Sequence, residues 1–81
     1  MIRVRLMERP ECGLCEETLG TLRRLSRRTP LDIEQVDVTR DAVLLDRYVV
    51  RVPVLVVRDV ELDVAGIDDA AIARWLDEVG R

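Results

Sequence analysis

Apolar and polar positions divide the 81-residue chain into seven segments. Residues 2–7 alternate Ile, Val and Leu with Arg and Met, which is the two-residue period of a β-strand. After Cys12, leucines recur near the helical period and predict a helix, which Thr29-Pro30 should end. In chain order, the predicted elements are a strand at residues 2–7, a helix at 14–28, a strand at 31–38, a helix at 39–50, strands at 52–57 and 61–64, and a last helix between Asp68, a good N-cap residue, and Gly80.

This order, β-α-β-α-β-β-α, predicts a single α/β domain over residues 1–81, built on a four-stranded mixed sheet. The first two strands, joined through a helix, should be parallel, and the last two, joined by a tight turn, should be antiparallel. The third strand is nearly all apolar and is expected at the sheet centre. The break in alternation at Glu34-Gln35 predicts that the second strand is an edge strand or carries a bulge. In the second helix, the expected buried positions are Val43, Leu44 and Tyr48.

Composition argues against several classes of function. The chain has one Trp, one Tyr and no Phe, so it lacks the aromatic platform on which nucleic-acid binders stack bases. Its net charge is −3 with both signs interspersed, and the arginines that end the first helix, Arg23, Arg24, Arg27 and Arg28, are expected to be a solvated helix end. No apolar run approaches the roughly 20 residues of a membrane span. We therefore expect neither nucleic-acid nor membrane binding.

Cys12 and Cys15 are the only cysteines, and their C-x-x-C spacing falls between the first strand and the first helix. Redox-active dithiols occupy this position in a strand–helix unit. Unpaired N–H groups and the positive end of the helix dipole favour a thiolate on the outer sulfur, that of Cys12. Arg9 favours it too, whereas the four nearby carboxylates oppose it; these are Glu8, Glu11, Glu16 and Glu17.

The cysteine pair also has other interpretations. Zinc needs four ligands, and one chain supplies two cysteines and no histidine, so a zinc or iron–sulfur site would require a dimer. Inert buried thiols are a further alternative. A lone vicinal pair without a visible signal peptide fits a reducing cytoplasm, where such pairs are catalytic or metal-binding. We expect a cytoplasmic monomer.

The element order, with the cysteine pair after the first strand and Val52-Pro53 before the third, resembles the thioredoxin fold in its small, glutaredoxin-like form. The resemblance covers nearly the whole chain. It implies a thiol–disulfide oxidoreductase in which Cys12 attacks a substrate disulfide and Cys15 resolves the mixed disulfide, with no bound metal and no cofactor beyond this redox pair. It also implies a cis Val52–Pro53 bond, with the Val52 N–H and C=O offered to an extended substrate.

Three further positions resemble the glutathione site of glutaredoxins. Arg9 matches the basic residue before the cysteine motif and would meet the glycyl carboxylate of glutathione. Gly66 and the pair Asp68-Asp69 match the turn that holds its γ-glutamyl end, with Asp69 facing the α-amino group. An alternative for the two aspartates is capping of the last helix by Asp68, with Asp69 in the first turn.

The chain also departs from glutaredoxins. Gly13-Leu14 replaces the usual Pro-Tyr between the cysteines, Ala65 replaces a glycine, and Arg51 stands two residues before Pro53, where threonine is common. The expected partners are a protein or small-molecule disulfide as substrate, and glutathione as reductant. The alternative reductant is a flavoprotein reductase, since the acidic residues around the motif disfavour glutathione, which is itself negatively charged.

Overall fold

The computed structural model describes residues 1–80, in which helices cover both faces of a four-stranded mixed sheet. The elements are β1 (Ile2–Glu8), α1 (Gly13–Leu25), β2 (Leu31–Asp37), a 3-10 turn (Val38–Arg40), α2 (Ala42–Tyr48), β3 (Val54–Val57), β4 (Val60–Asp63) and α3 (Asp69–Val79). The predicted fold class and element order are confirmed, and the 3-10 turn is the one addition to them.

The strand order in the sheet is β2-β1-β3-β4. β1 runs parallel to β2 and antiparallel to β3, and β3 pairs antiparallel with β4. The apolar β3 is therefore internal, as predicted. β2 is an edge strand, and its register with β1 runs unbroken from Leu31 to Asp37, so the predicted alternative of a bulge is wrong.

Several predicted boundaries differ from the structure, among them the second helix, predicted at 39–50 and found at Ala42–Tyr48, and two of the differences have a clear local cause. α1 ends at Leu25 rather than residue 28, because the N–H groups of Arg27 and Arg28 each donate to a carbonyl three residues back. This tightens the chain out of α-helical geometry. β3 begins at Val54 rather than Val52, because the Val52 N–H donates to Tyr48 and Pro53 has no N–H to give to a ladder.

β3 divides the core into two layers, since its side chains alternate between the faces of the sheet. Leu55 and Val57 belong to one apolar cluster and Val54 and Val56 to the other. The first cluster includes residues of α1 and α3, namely Leu22, Ile72 and Leu76, with Trp75 packed against it. The second cluster includes Val38 and Tyr48, with Leu44 packed against it.

One predicted core position is wrong. Val43 of α2 is 74% exposed, whereas Leu44 and Tyr48 contact the core as predicted. Leu44 and Tyr48 are four residues apart and share one face of the helix, while Val43 is about 100° away from Leu44. A seven-residue helix presents only this one face to the sheet.

Candidate redox site

Cys12 and Cys15 form a disulfide at the N-terminus of α1, with their Cα atoms 5.2 Å apart. Cys12 is the N-cap residue and has extended backbone angles, while Cys15 lies within the first helical turn. Both sulfurs are largely shielded, with Cys12 7% and Cys15 2% exposed. The C-x-x-C spacing thus lets one turn of helix bring the two side chains within bonding distance.

Backbone N–H groups of the first turn bond to Cys12, one at its sulfur and one at its carbonyl. The N–H of Cys15 donates to Cys12 Sγ at 3.1 Å, and the N–H of Glu16 donates to the Cys12 carbonyl. Glu11, immediately before the motif, has a φ of +57°, in the left-handed region that few non-glycine residues adopt. The chain therefore turns sharply between β1 and α1 at this residue.

Two grooves lie at the end of α1 that carries the cysteine motif, and one of them is lined by the disulfide itself. The Pro53 groove, of about 720 Å³, runs along one side of α1 and is completed by Pro53, the turn at residues 64–67 and the start of α3. The Arg9 groove, of about 360 Å³, is lined by the loop before the motif, by both cysteines and by Gln35 and Asp37 of β2. Glu16 lines both grooves.

The structure does not bring all the predicted glutathione residues together. Pro53, Gly66 and Asp69 line the Pro53 groove, as the resemblance implies. Arg9 lines the other groove with the two cysteines. A glutathione molecule in the Pro53 groove would thus meet Gly66 and Asp69, but Arg9, the expected partner of its glycyl carboxylate, lies in the second groove.

The Val52–Pro53 peptide bond is cis, as predicted. The Val52 N–H, however, donates to the Tyr48 carbonyl at 3.0 Å, and the Pro53 carbonyl accepts from the Val64 N–H at 3.3 Å. The expectation that Val52 offers both of its backbone groups is therefore wrong for the N–H. An extended substrate could pair with the Val52 carbonyl alone.

Gly66 occupies the third position of a turn over residues 64–67, closed by a 3.0 Å hydrogen bond from the Ile67 N–H to the Val64 carbonyl. Its φ is +79°, as a type II turn requires at that position. Ala65, at the second position, needs no positive φ. The replacement of a glycine by Ala65 is therefore compatible with the turn.

The two aspartates at the start of α3 have different roles. Asp68 caps the helix, accepting from the Ala71 N–H at 2.9 Å. Asp69 accepts from the Arg24 guanidinium at 2.9 Å and from the Thr21 hydroxyl at 2.8 Å. These two bonds, that from Arg24 first, lower the pKa of the Asp69 carboxyl. The expectation that Asp69 faces an α-amino group stays a prediction, and such a contact would have to share a carboxylate that Arg24 and Thr21 already contact.

Sequence analysis missed Thr21 and Arg24 as residues of this site, since Arg24 was grouped with the solvated arginines at the end of α1. The two lie three residues apart, on one face of the helix, and this spacing was the one local signal. Their common partner Asp69 is 45 residues beyond Arg24. The contact arises from the packing of α1 beside α3, which the sequence pattern does not specify.

A second polar network supports the segment before Pro53. Glu61 of β4 accepts from the Tyr48 hydroxyl at 2.6 Å and from the guanidinium groups of Arg47 and Arg51 at 2.7 and 2.8 Å. Hydrogen bonds from Tyr48 and then Arg51 lower the pKa of Glu61 to about 2. Burial, followed by the bond to Glu61, raises the pKa of Tyr48. Arg51 also pairs with Asp63 at 2.7 Å, so the residue that replaces the usual threonine is held by two carboxylates.

Within residues 1–80, no group of three or more His, Cys, Asp or Glu side chains is arranged to hold a metal ion. No helix in the same part of the chain has the length and apolar character needed to cross a membrane.

Residues 3–77 match the family model described as Glutaredoxin-like domain (DUF836). Among solved structures, the chain is 32% identical to target protein XcR50 from X. campestris, with a TM-score of 0.79 and an alignment covering 93% of this chain and 96% of that one. No curated protein matches the sequence.

Two thioredoxins share the fold at lower sequence identity. A mutant thioredoxin from Halobacterium salinarum NRC-1 is 21% identical, with a TM-score of 0.70 and coverage of 99% of this chain and 75% of that one. Thioredoxin 1 from Thermosipho africanus TCF52B is 16% identical, with a TM-score of 0.68 and coverage of 99% and 100%.

Proposed function

The chain belongs to the glutaredoxin-like domain family, and from this premise we propose that it is a small thiol–disulfide oxidoreductase acting through Cys12 and Cys15. The observation that carries the proposal is the disulfide across the first turn of α1, which lines the Arg9 groove, while the Pro53 groove begins at Gly13 and Leu14 between the two cysteines. A helix N-terminus supplies backbone N–H groups that stabilise a thiolate. The proposed substrate is a disulfide in a protein or a small molecule.

The reaction consists of two exchanges that together move two electrons. In the reduced protein, the Cys12 thiolate attacks one sulfur of the substrate disulfide; that bond breaks, and the departing substrate sulfur takes a proton. The Cys15 thiol then loses its proton and attacks Cys12 Sγ, which breaks the mixed disulfide; the second substrate sulfur departs, takes up that proton and leaves as a thiol. The substrate is reduced to a dithiol, and the Cys12–Cys15 disulfide is formed.

The Pro53 groove is the proposed place for substrate. It begins beside the motif at Gly13 and Leu14 and includes Pro53 and Gly66. Leu14 is half exposed and offers apolar surface to a polypeptide next to the reacting sulfur. The Val52 carbonyl, adjacent to Pro53, would accept one hydrogen bond from an extended segment. The catalytic step needs a single copy of the chain, and we propose that it takes place in a reducing cytoplasm.

The electrons must be returned by a second thiol donor, for which glutathione and a flavoprotein reductase are the candidates. Two observations favour the reductase. Asp69, the expected partner of the glutathione ammonium group, is occupied by Arg24 and Thr21. Arg9, the expected partner of its glycyl carboxylate, lies in the other groove among Glu8, Glu11 and Glu16.

The test is reduction of insulin disulfides with dithiothreitol as the electron source, for wild type, Cys12→Ser and Cys15→Ser. Wild type should accelerate the reaction, and Cys12→Ser should be inactive. Cys15→Ser should accumulate a mixed disulfide at Cys12, detectable by mass. A wild type that does not accelerate reduction would overturn the proposal and leave the zinc-dimer and inert-thiol interpretations. Regeneration by a thioredoxin-reductase-type flavoprotein, compared with glutathione, then identifies the reductant.

A further inference from the structure

The Pro53 groove contains an internal, partly exposed ion pair that engages one of its carboxylates. Arg24 Nη2 lies 2.9 Å from Asp69 Oδ2, and both residues line the groove. The Thr21 hydroxyl donates to Asp69 Oδ1 at 2.8 Å and accepts from Arg24 at 3.1 Å. The three side chains therefore form a closed triangle in which each contacts the other two.

The triangle is held in place from the side of α1. Thr21 is buried, with 5% of its surface exposed, and it sits between the two charged groups. Gly20 lies beside Arg24, whose Nη1 would be 3.5 Å from a Cβ built at that glycine. Arg24 thus extends along α1 towards the groove. No comparable bond or ion pair within residues 1–80 involves its neighbour Arg23, which is exposed.

Resting on the proposed function, we propose that Arg24 is a specificity-determining residue that makes the Pro53 groove select against glutathione. By pairing with Asp69, the guanidinium neutralises the carboxylate that the resemblance to glutaredoxins assigns to the ammonium group of the γ-glutamyl unit. An incoming ammonium group would have to share Asp69 with Arg24 or displace it, and in either case would lie beside a second cation. The groove accordingly accepts thiols and disulfides that carry no ammonium group at this end, such as an internal segment of a polypeptide.

The remaining charges of the groove act in the same direction. Besides Arg24 and Asp69, which neutralise each other, its charged lining residues are Glu16 and Glu17. Glutathione has two carboxylates, and like charges in the same groove repel. Neither end of glutathione therefore finds a free partner of opposite charge in the Pro53 groove.

The experiment isolates recognition of the ammonium group. The second-order rate constant for reduction of the Cys12–Cys15 disulfide is measured with glutathione and with N-acetylglutathione, which has the same thiol and lacks the ammonium group. Thiol alkylation and mass spectrometry follow the reduction. The readout is the rate constant with glutathione divided by the rate constant with N-acetylglutathione. Arg24→Gln leaves Asp69 without its guanidinium partner and should raise this ratio about three- to fivefold, which is the effect expected from one partly exposed ion pair between Asp69 and the ammonium group. Asp69→Asn frees Arg24 instead and should lower the ratio below that of wild type.

Control variants separate this effect from changes in net charge or packing. Arg23→Gln removes the same charge outside the groove, and Arg24→Gln combined with Asp69→Asn removes both partners. Both should keep the wild-type ratio. An unchanged ratio in folded Arg24→Gln, or an equal rise in Arg23→Gln, would overturn the inference.

Dithiothreitol, a neutral reductant, separates the two proposals. If it reduces the Cys12–Cys15 disulfide in all variants while the ratio does not respond to Arg24, the inference alone fails. If the pair does not cycle between dithiol and disulfide with any reductant, the proposed function fails, and the inference fails with it.

Discussion

The backbone N–H of Cys15 points at the sulfur of Cys12 and donates to it at 3.1 Å. The two cysteines are therefore not equivalent, although they share one disulfide. Cys12 precedes the helix and is bonded by a helical N–H, whereas Cys15 lies inside the first turn and is the more deeply buried of the two. A hydrogen bond of this kind favours the charged form of its acceptor, so negative charge in the reduced protein should reside on Cys12.

We accordingly expect Cys12 to be the first thiol modified. Reduced protein treated with a limiting amount of iodoacetamide near neutral pH should carry the label on Cys12, as located by peptide mass mapping. The physical reasons are the N–H donors at the start of α1 and the greater exposure of Cys12. Preferential labelling of Cys15 would reverse the roles assigned to the two residues.

The reduction potential should respond to the carboxylates beside the motif. We expect a wild-type potential between about −200 and −270 mV, since the helix N-terminus and Arg9 favour the thiolate while nearby glutamates oppose it. Glu16→Gln removes a carboxylate that lines both grooves. This stabilises the thiolate of the reduced form, so the potential should become less negative by about 10 mV, as expected for one exposed charge.

The measurement is equilibration in glutathione or dithiothreitol redox buffers with thiol trapping. Glu78→Gln provides the control, because Glu78 is exposed near the end of α3 and lines neither groove. A more negative potential in Glu16→Gln, or an equal shift in Glu78→Gln, would contradict the assignment of a local electrostatic effect.

Much of the fold was predictable because its signals are local. The apolar run at residues 54–57 identified the internal strand, and Pro53 beside that run indicated the cis bond that the structure contains. The errors arose where hydrogen bonds between non-adjacent groups decide the outcome. The Val52 N–H is taken by Tyr48, and no periodicity in the sequence reveals that bond.

The site was harder to predict than the fold because it depends on how elements pack. C-x-x-C specified the disulfide, since both sulfurs belong to one helical turn. The match of Arg9 and Asp69 to the glutathione site did not specify their surroundings, because Arg9 lies in one groove and Asp69 is paired with Arg24 in the other. A motif match identifies a residue, but its partners come from elements distant in the chain.

The Glu61 network predicts a stability that depends on pH. The pKa of Glu61 is lowered from 4.5 to about 2 in the folded protein, so folding favours its charged form. This stabilisation is present above a pH of about 4.5 and is lost as the pH falls towards 2. The shift corresponds to at most about 3 kcal/mol, for a side chain that is 20% exposed.

Urea unfolding of wild type and Glu61→Gln between about pH 2 and pH 6 would test this, because that range spans the unfolded and the folded pKa of Glu61. Wild type should be the more stable protein near pH 6, and the difference should shrink as the pH falls. A pH-independent difference for Glu61→Gln would show that the network does not hold this carboxylate in its charged form.

Gly66 and Gly13 form a matched pair for a last prediction, because a Cβ added to either would meet no atom within 4 Å. They differ only in backbone conformation. Gly66 has a φ of +79° in the turn over residues 64–67, where an L-residue costs roughly 1–2 kcal/mol. Gly13 is the first residue of α1, where alanine is at least as favourable as glycine.

Gly66→Ala should therefore lower the free energy of unfolding by about 1 kcal/mol, whereas Gly13→Ala should leave it unchanged or raise it slightly. Both variants should be measured by urea unfolding in the oxidised state, so that the disulfide is the same in each. Since neither site is crowded, a loss in Gly66→Ala reports the strain of the left-handed conformation alone. Equal stabilities of the two variants would mean that the turn adapts to alanine. The place of Gly66 in the lining of the Pro53 groove would then not depend on its positive φ.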